Sequence, residues 1–109
     1  MAAYDSHYLE FFELFNREEF FEAHEVLETL WRQTESEERE FYQGMIQLAA
    51  LFVHVQKGRP ESAEVLYERA ANHLKKYPAA YMGVNIPAIL HQIREALDRR
   101  TGYPRLTLP

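Results

Sequence analysis

The chain contains no cysteine among its 109 residues. That absence excludes a disulfide framework, a thiolate metal site and a thiol nucleophile. Glycine is scarce as well. Gly44, Gly58, Gly83 and Gly102 stand singly, so no glycine-rich loop is available to cradle a phosphate. No apolar run approaches the ~20 residues that a membrane-spanning helix needs; the longest, Leu48 to Val53, ends at His54. Met1 to Tyr8 has neither the basic start nor the apolar stretch of a secretory signal. Positive charge is also in deficit. Twelve Lys and Arg against seventeen Asp and Glu leave a net charge of −5, which argues against a nucleic-acid partner, because phosphate affinity rests on clustered cations. The plain reading is a soluble cytoplasmic protein with no membrane or nucleic-acid partner.

What is present is a single helical pattern. Hydrophobic residues make up 47% of the chain, enough for a core without covalent staples, and the length suits one domain. Tyr8, Phe11, Phe12 and Phe15 follow the i, i+3, i+4, i+7 spacing of an amphipathic helix over about Ser6–Phe15. Asn16, with a carboxylate three residues on at Glu19, resembles a capping box that starts a second helix running to about Trp31. Thr34 or Ser36 is expected to cap a third, Glu37 to Lys57, stopped by Gly58. Pro60 opens a fourth at a position where a missing N–H costs nothing, presenting Ala63, Leu66, Ala70, Leu74 and Tyr77 on one face. After an irregular link, Pro78–Val84, Asn85 caps a fifth helix with Ile86, Ile89, Ile93 and Leu97 turned inward. No alternating strand pattern is visible. The expected fold is all-α, a single-domain bundle of about five helices, mostly antiparallel neighbours, over residues 1–100. Residues 101–109 read as a tail with no core signal.

Two of these helices carry polar lines on otherwise apolar faces. At about 100° per residue, Glu18, Glu22, Glu25, Thr29 and Arg32 form the solvated side of the second helix. His24 and Glu28 fall with Phe20, Phe21, Leu27 and Trp31 on the other. On the third helix Gln43, Gln47, Ala50 and His54 lie within about 40° of one another in projection. An unpaired carboxylate on an apolar face is costly, so the two lines are expected to meet. That places His24, Glu28, Gln43, Gln47 and His54 in one buried polar cluster, with Trp31 and Tyr42 near enough to offer an N–H or O–H.

The segment His24-Glu25-Val26-Leu27-Glu28-Thr29-Leu30-Trp31 fits H-x-x-x-E-x-x-W. It is preceded by Phe20-Phe21-Glu22-Ala23 and followed by Phe41-Tyr42-Gln43-Gly44-Met45-Ile46-Gln47-Leu48-Ala49-Ala50, then His54 and Lys57-Gly58. Over about Phe11 to Leu97 the chain resembles the DUF309 family of small helical bacterial and archaeal proteins. The resemblance implies a helical fold and no particular reaction. The suggestion that the family's motif binds metal implies a metal role for His24, Glu28 and Trp31.

Three function classes follow. In the first, the cluster is a hydrogen-bonded structural network in an interaction or ligand-binding domain, whose partner is another protein, a second copy or a small ligand. In the second, His24, Glu28 and His54 form a two-His, one-carboxylate site for Zn, Mn or Fe, with Gln47 as a weak fourth ligand. In the third, the same residues serve a metal-dependent enzyme. The zinc-protease pattern H-E-x-x-H is not met, since position 28 is Glu rather than His and Glu25 rotates onto the solvated face. His7, His73 and His91 read as single, unaccompanied surface or boundary residues. The acidic run Glu35–Glu40 reads as a helix start, where negative charge complements the dipole. Gly44, mid-helix, costs ~1 kcal/mol relative to Ala and is expected to admit close approach by the second helix.

Overall fold

A computed structural model describes residues 3–100 and 102–109. Five helices account for most of it: α1 (Ser6–Asn16), α2 (Phe20–Gln33), α3 (Glu38–Gln56), α4 (Pro60–Leu74) and α5 (Ile86–Arg99). A two-stranded antiparallel hairpin, β1 (Ala80–Tyr81) and β2 (Val84–Asn85), lies between α4 and α5 with Tyr81 opposite Val84. The chain is predominantly α, as the periodicity predicts. The hairpin is the departure, and its strands are too short to carry an alternating pattern.

The helix starts obey local chemistry at three ends and not at two. The Asp5 carboxylate accepts from the His7 N–H at 2.8 Å at the head of α1. Pro60 opens α4. The Asn85 side chain accepts from the Ala88 N–H at 3.0 Å and caps α5. Asn16, by contrast, does not start α2; it ends α1, and α2 begins at Phe20 after Glu18 has passed through a positive φ of 66°. The Asn16 amide is spent elsewhere, on the backbone of Leu106. Nor do Thr34 and Ser36 cap α3. The Thr34 hydroxyl turns back to the Leu30 carbonyl at 2.7 Å, and the Ser36 hydroxyl donates to the Glu38 carboxylate.

Short links at 17–19, 34–37 and 57–59 turn the chain back on itself, so α1 packs on α2, α2 on α3, and α3 most closely on α4. The core is aromatic on the α1 side. Tyr8, Phe11, Phe12, Phe15, Phe20, Phe41 and Phe52 are all fully or almost fully buried. Their rings meet edge to face, Tyr8–Phe12 at 5.1 Å, Phe11–Phe12 at 5.2 Å and Phe15–Phe20 at 5.0 Å. This geometry adds about 0.5–1.5 kcal/mol per pair beyond area burial. The Tyr8 hydroxyl donates to the Met82 carbonyl at 2.8 Å and ties the hairpin to α1. α5 is held by side chains: the Tyr67 hydroxyl donates to the Leu90 carbonyl at 3.0 Å, and Arg94 forks onto Glu64 at 2.9 and 2.6 Å.

Gly44 is buried against α4, not α2. A Cβ there would lie 2.7 Å from Leu74 Cγ and 3.3 Å from His73 Cβ, so its lack of a side chain sets the α3–α4 spacing. The segment from Gly102 to Pro109, read from sequence as lacking a core signal, is seated on the bundle: Leu106 is buried and Tyr103 packs against both Phe20 and Phe52.

Candidate functional site

α2 buries Phe20, Ala23, Leu27 and Leu30. That line sets the helix's rotation and leaves His24 and Glu28 on its flank. Their side chains are 26% and 30% exposed, with His24 Nε2 3.5 Å from Glu28 Oε2. The other carboxylate oxygen accepts from Arg32 Nη2 at 2.8 Å, so Glu28 stands between a His one turn back and an Arg one turn on. Phe21, expected on the inner face, is 51% exposed, with its ring 5.9 Å from that of His24.

The buried His/Glu/Gln cluster expected from the two polar lines does not form. Gln43, Gln47 and His54 run half-buried along the flank of α3. Among the described residues no hydrogen bond joins His24 or Glu28 to any of them. The cause is rotational: with Phe20, Ala23 and Leu27 in the core, a residue 60–100° further round faces the rim of the α2–α3 seam. The triad His24, Glu28 and His54 is likewise not assembled; among the described residues no group of three or more His, Asp or Glu is disposed to hold a metal ion.

The seam has its own chemistry. Trp31 is half-buried beneath the Arg39 guanidinium, which sits 4.1 Å from its ring centroid. One Arg39 nitrogen is fixed by the carbonyls of Trp31 at 3.0 Å and Thr34 at 2.9 Å. This cation–π contact crosses from α3 to α2. Three polar atoms, Trp31 Nε1 of the motif and Gln47 Oε1 and His54 Nδ1 of the α3 polar line, are shielded from solvent and have no hydrogen-bond partner. Buried polar atoms are ordinarily paired.

Sequence reasoning missed a second charged constellation. Glu40 Oε2 takes His73 Nδ1 at 2.8 Å and Lys76 Nζ at 2.5 Å, so His73 is not unaccompanied. Those hydrogen bonds, from Lys76 first and His73 second, hold the Glu40 carboxyl below its ordinary range. Next to it the Tyr77 hydroxyl accepts from the Phe41 N–H at 2.9 Å and donates to the Glu37 carbonyl at 2.5 Å. His7 and His91 also have acidic neighbours, Asp5 at 3.0 Å and Glu95 at 3.2 Å. The i, i+4 spacing of His91 and Glu95 was legible; the signal for His73 was Gly44, which marks where α4 approaches.

A family model for a domain of unknown function, DUF309, matches residues 8–66. This stretch holds most of α1, all of α2 and α3 and the start of α4, with His24, Glu28, Trp31 and the polar line of α3. The chain belongs to the DUF309 family. It is also similar to an uncharacterized protein of Aquifex aeolicus (strain VF5), 29% identical over 91 residues, an alignment that covers 82% of this chain and 27% of the relative. The chain thus spans about a quarter of the length of the curated relative it matches. No helix of this DUF309 protein, among its described residues, is long and apolar enough to cross a membrane.

Proposed function

We propose that this DUF309 protein is a helical binding module that docks a partner polypeptide on the outer α2–α3 face, through Phe21, His24, Glu28 and Trp31 of α2 and Gln43, Gln47 and His54 of α3. The observation that carries the reading is the set of three shielded, unpaired atoms, Trp31 Nε1, Gln47 Oε1 and His54 Nδ1. Each unpaired buried polar group costs about 1–3 kcal/mol; Trp31 stands at the Arg39 contact on α2, and Gln47 and His54 lie on the half-buried polar line of α3. A partner that shifts these side chains by a rotamer supplies the missing donors and acceptors. The exposed Phe21 ring beside His24 adds an apolar contact of the kind that interfaces favour. The Aquifex aeolicus relative supports the module reading in one respect: there the matching region is 27% of a longer chain.

Site-directed photo-crosslinking tests the proposal. A benzophenone amino acid replaces Phe21 in one variant and the exposed Glu68 of α4 in another, both expressed in the protein's native cells. The expected result is a discrete polypeptide adduct from position 21 that Glu28→Arg abolishes and position 68 does not give. Identical adducts from the two positions, or none from position 21, would overturn it.

A further inference from the structure

The segment from Tyr103 to Pro109 has no helix, strand or turn of its own, yet it is gripped at two points by main-chain contacts. Asn16 Nδ2 donates to the Leu106 carbonyl at 2.8 Å, and the Leu106 N–H donates to Asn16 Oδ1 at 2.7 Å. One residue can present its N–H and C=O to the same amide only when its backbone is extended, as in a strand. Gln92 Nε2, from α5, donates to the Arg105 carbonyl at 2.9 Å. Two side chains fill the groove beneath. Leu106 is buried at 3% exposure. The Tyr103 ring lies 5.1 Å from Phe20, tilted, and 5.6 Å, edge to face, from Phe52. Arg105, Thr107 and Leu108 point outward.

These contacts divide as they do in peptide receptors: amides that read only the main chain supply affinity, and pockets for particular side chains supply selectivity. From this division we infer that the groove formed by Asn16, Phe20, Phe52 and Gln92 is a recognition site for an extended peptide bearing an aromatic residue and, three positions on, a leucine. The Tyr103–Leu106 strap is its resident cis-ligand. Nothing in the grip depends on the strap's being covalently joined to α5. The two backbone bonds from Asn16 and the one from Gln92 are available to any extended segment that presents the same pair of side chains. Tethering gives the strap an effective concentration in the millimolar range, so it masks the groove against weaker competitors and yields to stronger ones. The site uses no residue of the proposed α2–α3 docking face, and its test is independent of that reading.

The test uses the full chain and a fluorescent peptide with the sequence of Gly102 to Pro109. In the Leu106→Glu variant the strap's own anchor is spoiled and the groove is freed. The labelled peptide is expected to bind this variant saturably, at least about tenfold more tightly than it binds the wild type. Asn16→Ala added to Leu106→Glu should weaken binding by about tenfold or more, as for two lost hydrogen bonds. A peptide that itself carries the Leu106→Glu change should not bind. Equal binding to wild type and Leu106→Glu, or none to a Leu106→Glu chain whose circular dichroism shows intact helices, overturns the inference. Should Leu106→Glu fail to fold, amide hydrogen exchange on the wild type decides. The Leu106 N–H is expected to exchange through an opening that leaves the Phe12 and Leu48 amides protected. Exchange of Leu106 only together with those core amides overturns the inference.

Discussion

Two His–Glu pairs of nearly equal exposure lie on opposite flanks of α3, and they are built differently. His24 and Glu28 share one helix, sit one turn apart at 3.5 Å and are 26% and 30% exposed. His73 and Glu40 come from different helices, 33 positions apart, meet at 2.8 Å and are 25% and 35% exposed. The first pair exists because α2 is a helix, and Arg32 extends it by another turn. The second exists because Gly44 lets α4 approach α3, and Lys76 joins it from the next turn of chain. A pair within one helix says little about packing, whereas a pair between helices reports that two helices are in register. The more conspicuous sequence motif is thus the less informative about the fold, and its residues are free to serve another purpose.

That contrast can be broken at four places. The largest effect is expected at Trp31, which carries the Arg39 contact across the seam. Trp31→Ala should cost about 2–3 kcal/mol in denaturant melts, below the ~3–5 kcal/mol of a fully buried aromatic, because the ring is half-buried. A loss under ~1 kcal/mol would make the seam incidental. Gly44→Ala attacks the inter-helix pair without touching it. The new methyl meets the fully buried Leu74, and the overpacking penalty exceeds the ~1 kcal/mol gained in helix propensity. A net loss of about 1–2 kcal/mol is expected, with the His73 ring resonances shifted in NMR spectra; a stabilised chain would refute the close approach.

Glu40→Gln sharpens the comparison through pH. The Glu40 carboxyl titrates below its ordinary value of 4.5 in the folded chain. Its contribution is therefore complete above that value and fades as pH falls through the lower folded one. The melting-temperature gap between wild type and Glu40→Gln should be widest near neutral pH and close in acid; a gap that widens in acid contradicts the assignment. Glu28→Gln should do least. It removes two partly exposed i, i+4 contacts, each worth about 0.3–0.5 kcal/mol, so the loss stays under ~1 kcal/mol. Added Zn²⁺, Mn²⁺ or Fe²⁺ should leave both melting curves unchanged. A metal-dependent rise in the wild type that Glu28→Gln abolishes would reinstate a metal site at His24 and Glu28.

Periodicity alone located the five helices, because each buries a line spaced by one turn, and the Pro60 and Asn85 starts are chemical signals local to their own helices. What periodicity could not supply is rotation finer than about one residue. His24 and Glu28 were legible as lying off the solvated face, and yet a turn of 60–100° separates the core from the rim, which is the difference between a buried cluster and a half-exposed line. Contacts between distant positions were invisible for another reason. Asn16 meets Leu106 across 90 positions, and nothing in the immediate neighbourhood of an asparagine distinguishes a helix cap from a clamp on a far segment. The hairpin escaped because two residues per strand hold no alternation.

The lone tryptophan has an optical consequence. With one indole in the chain, every photon of tryptophan emission comes from the spot where the Arg39 guanidinium of α3 covers a ring of α2 at 4.1 Å. The chain also has seven tyrosines, and excitation at the red edge of the spectrum isolates the indole from them. Any event that parts α2 from α3, or inserts a new neighbour between Trp31 and Arg39, changes the polarity around that single chromophore and moves its emission maximum. The protein thereby carries an unlabelled probe at the α2–α3 contact, placed to report in real time on the docking proposed for that face.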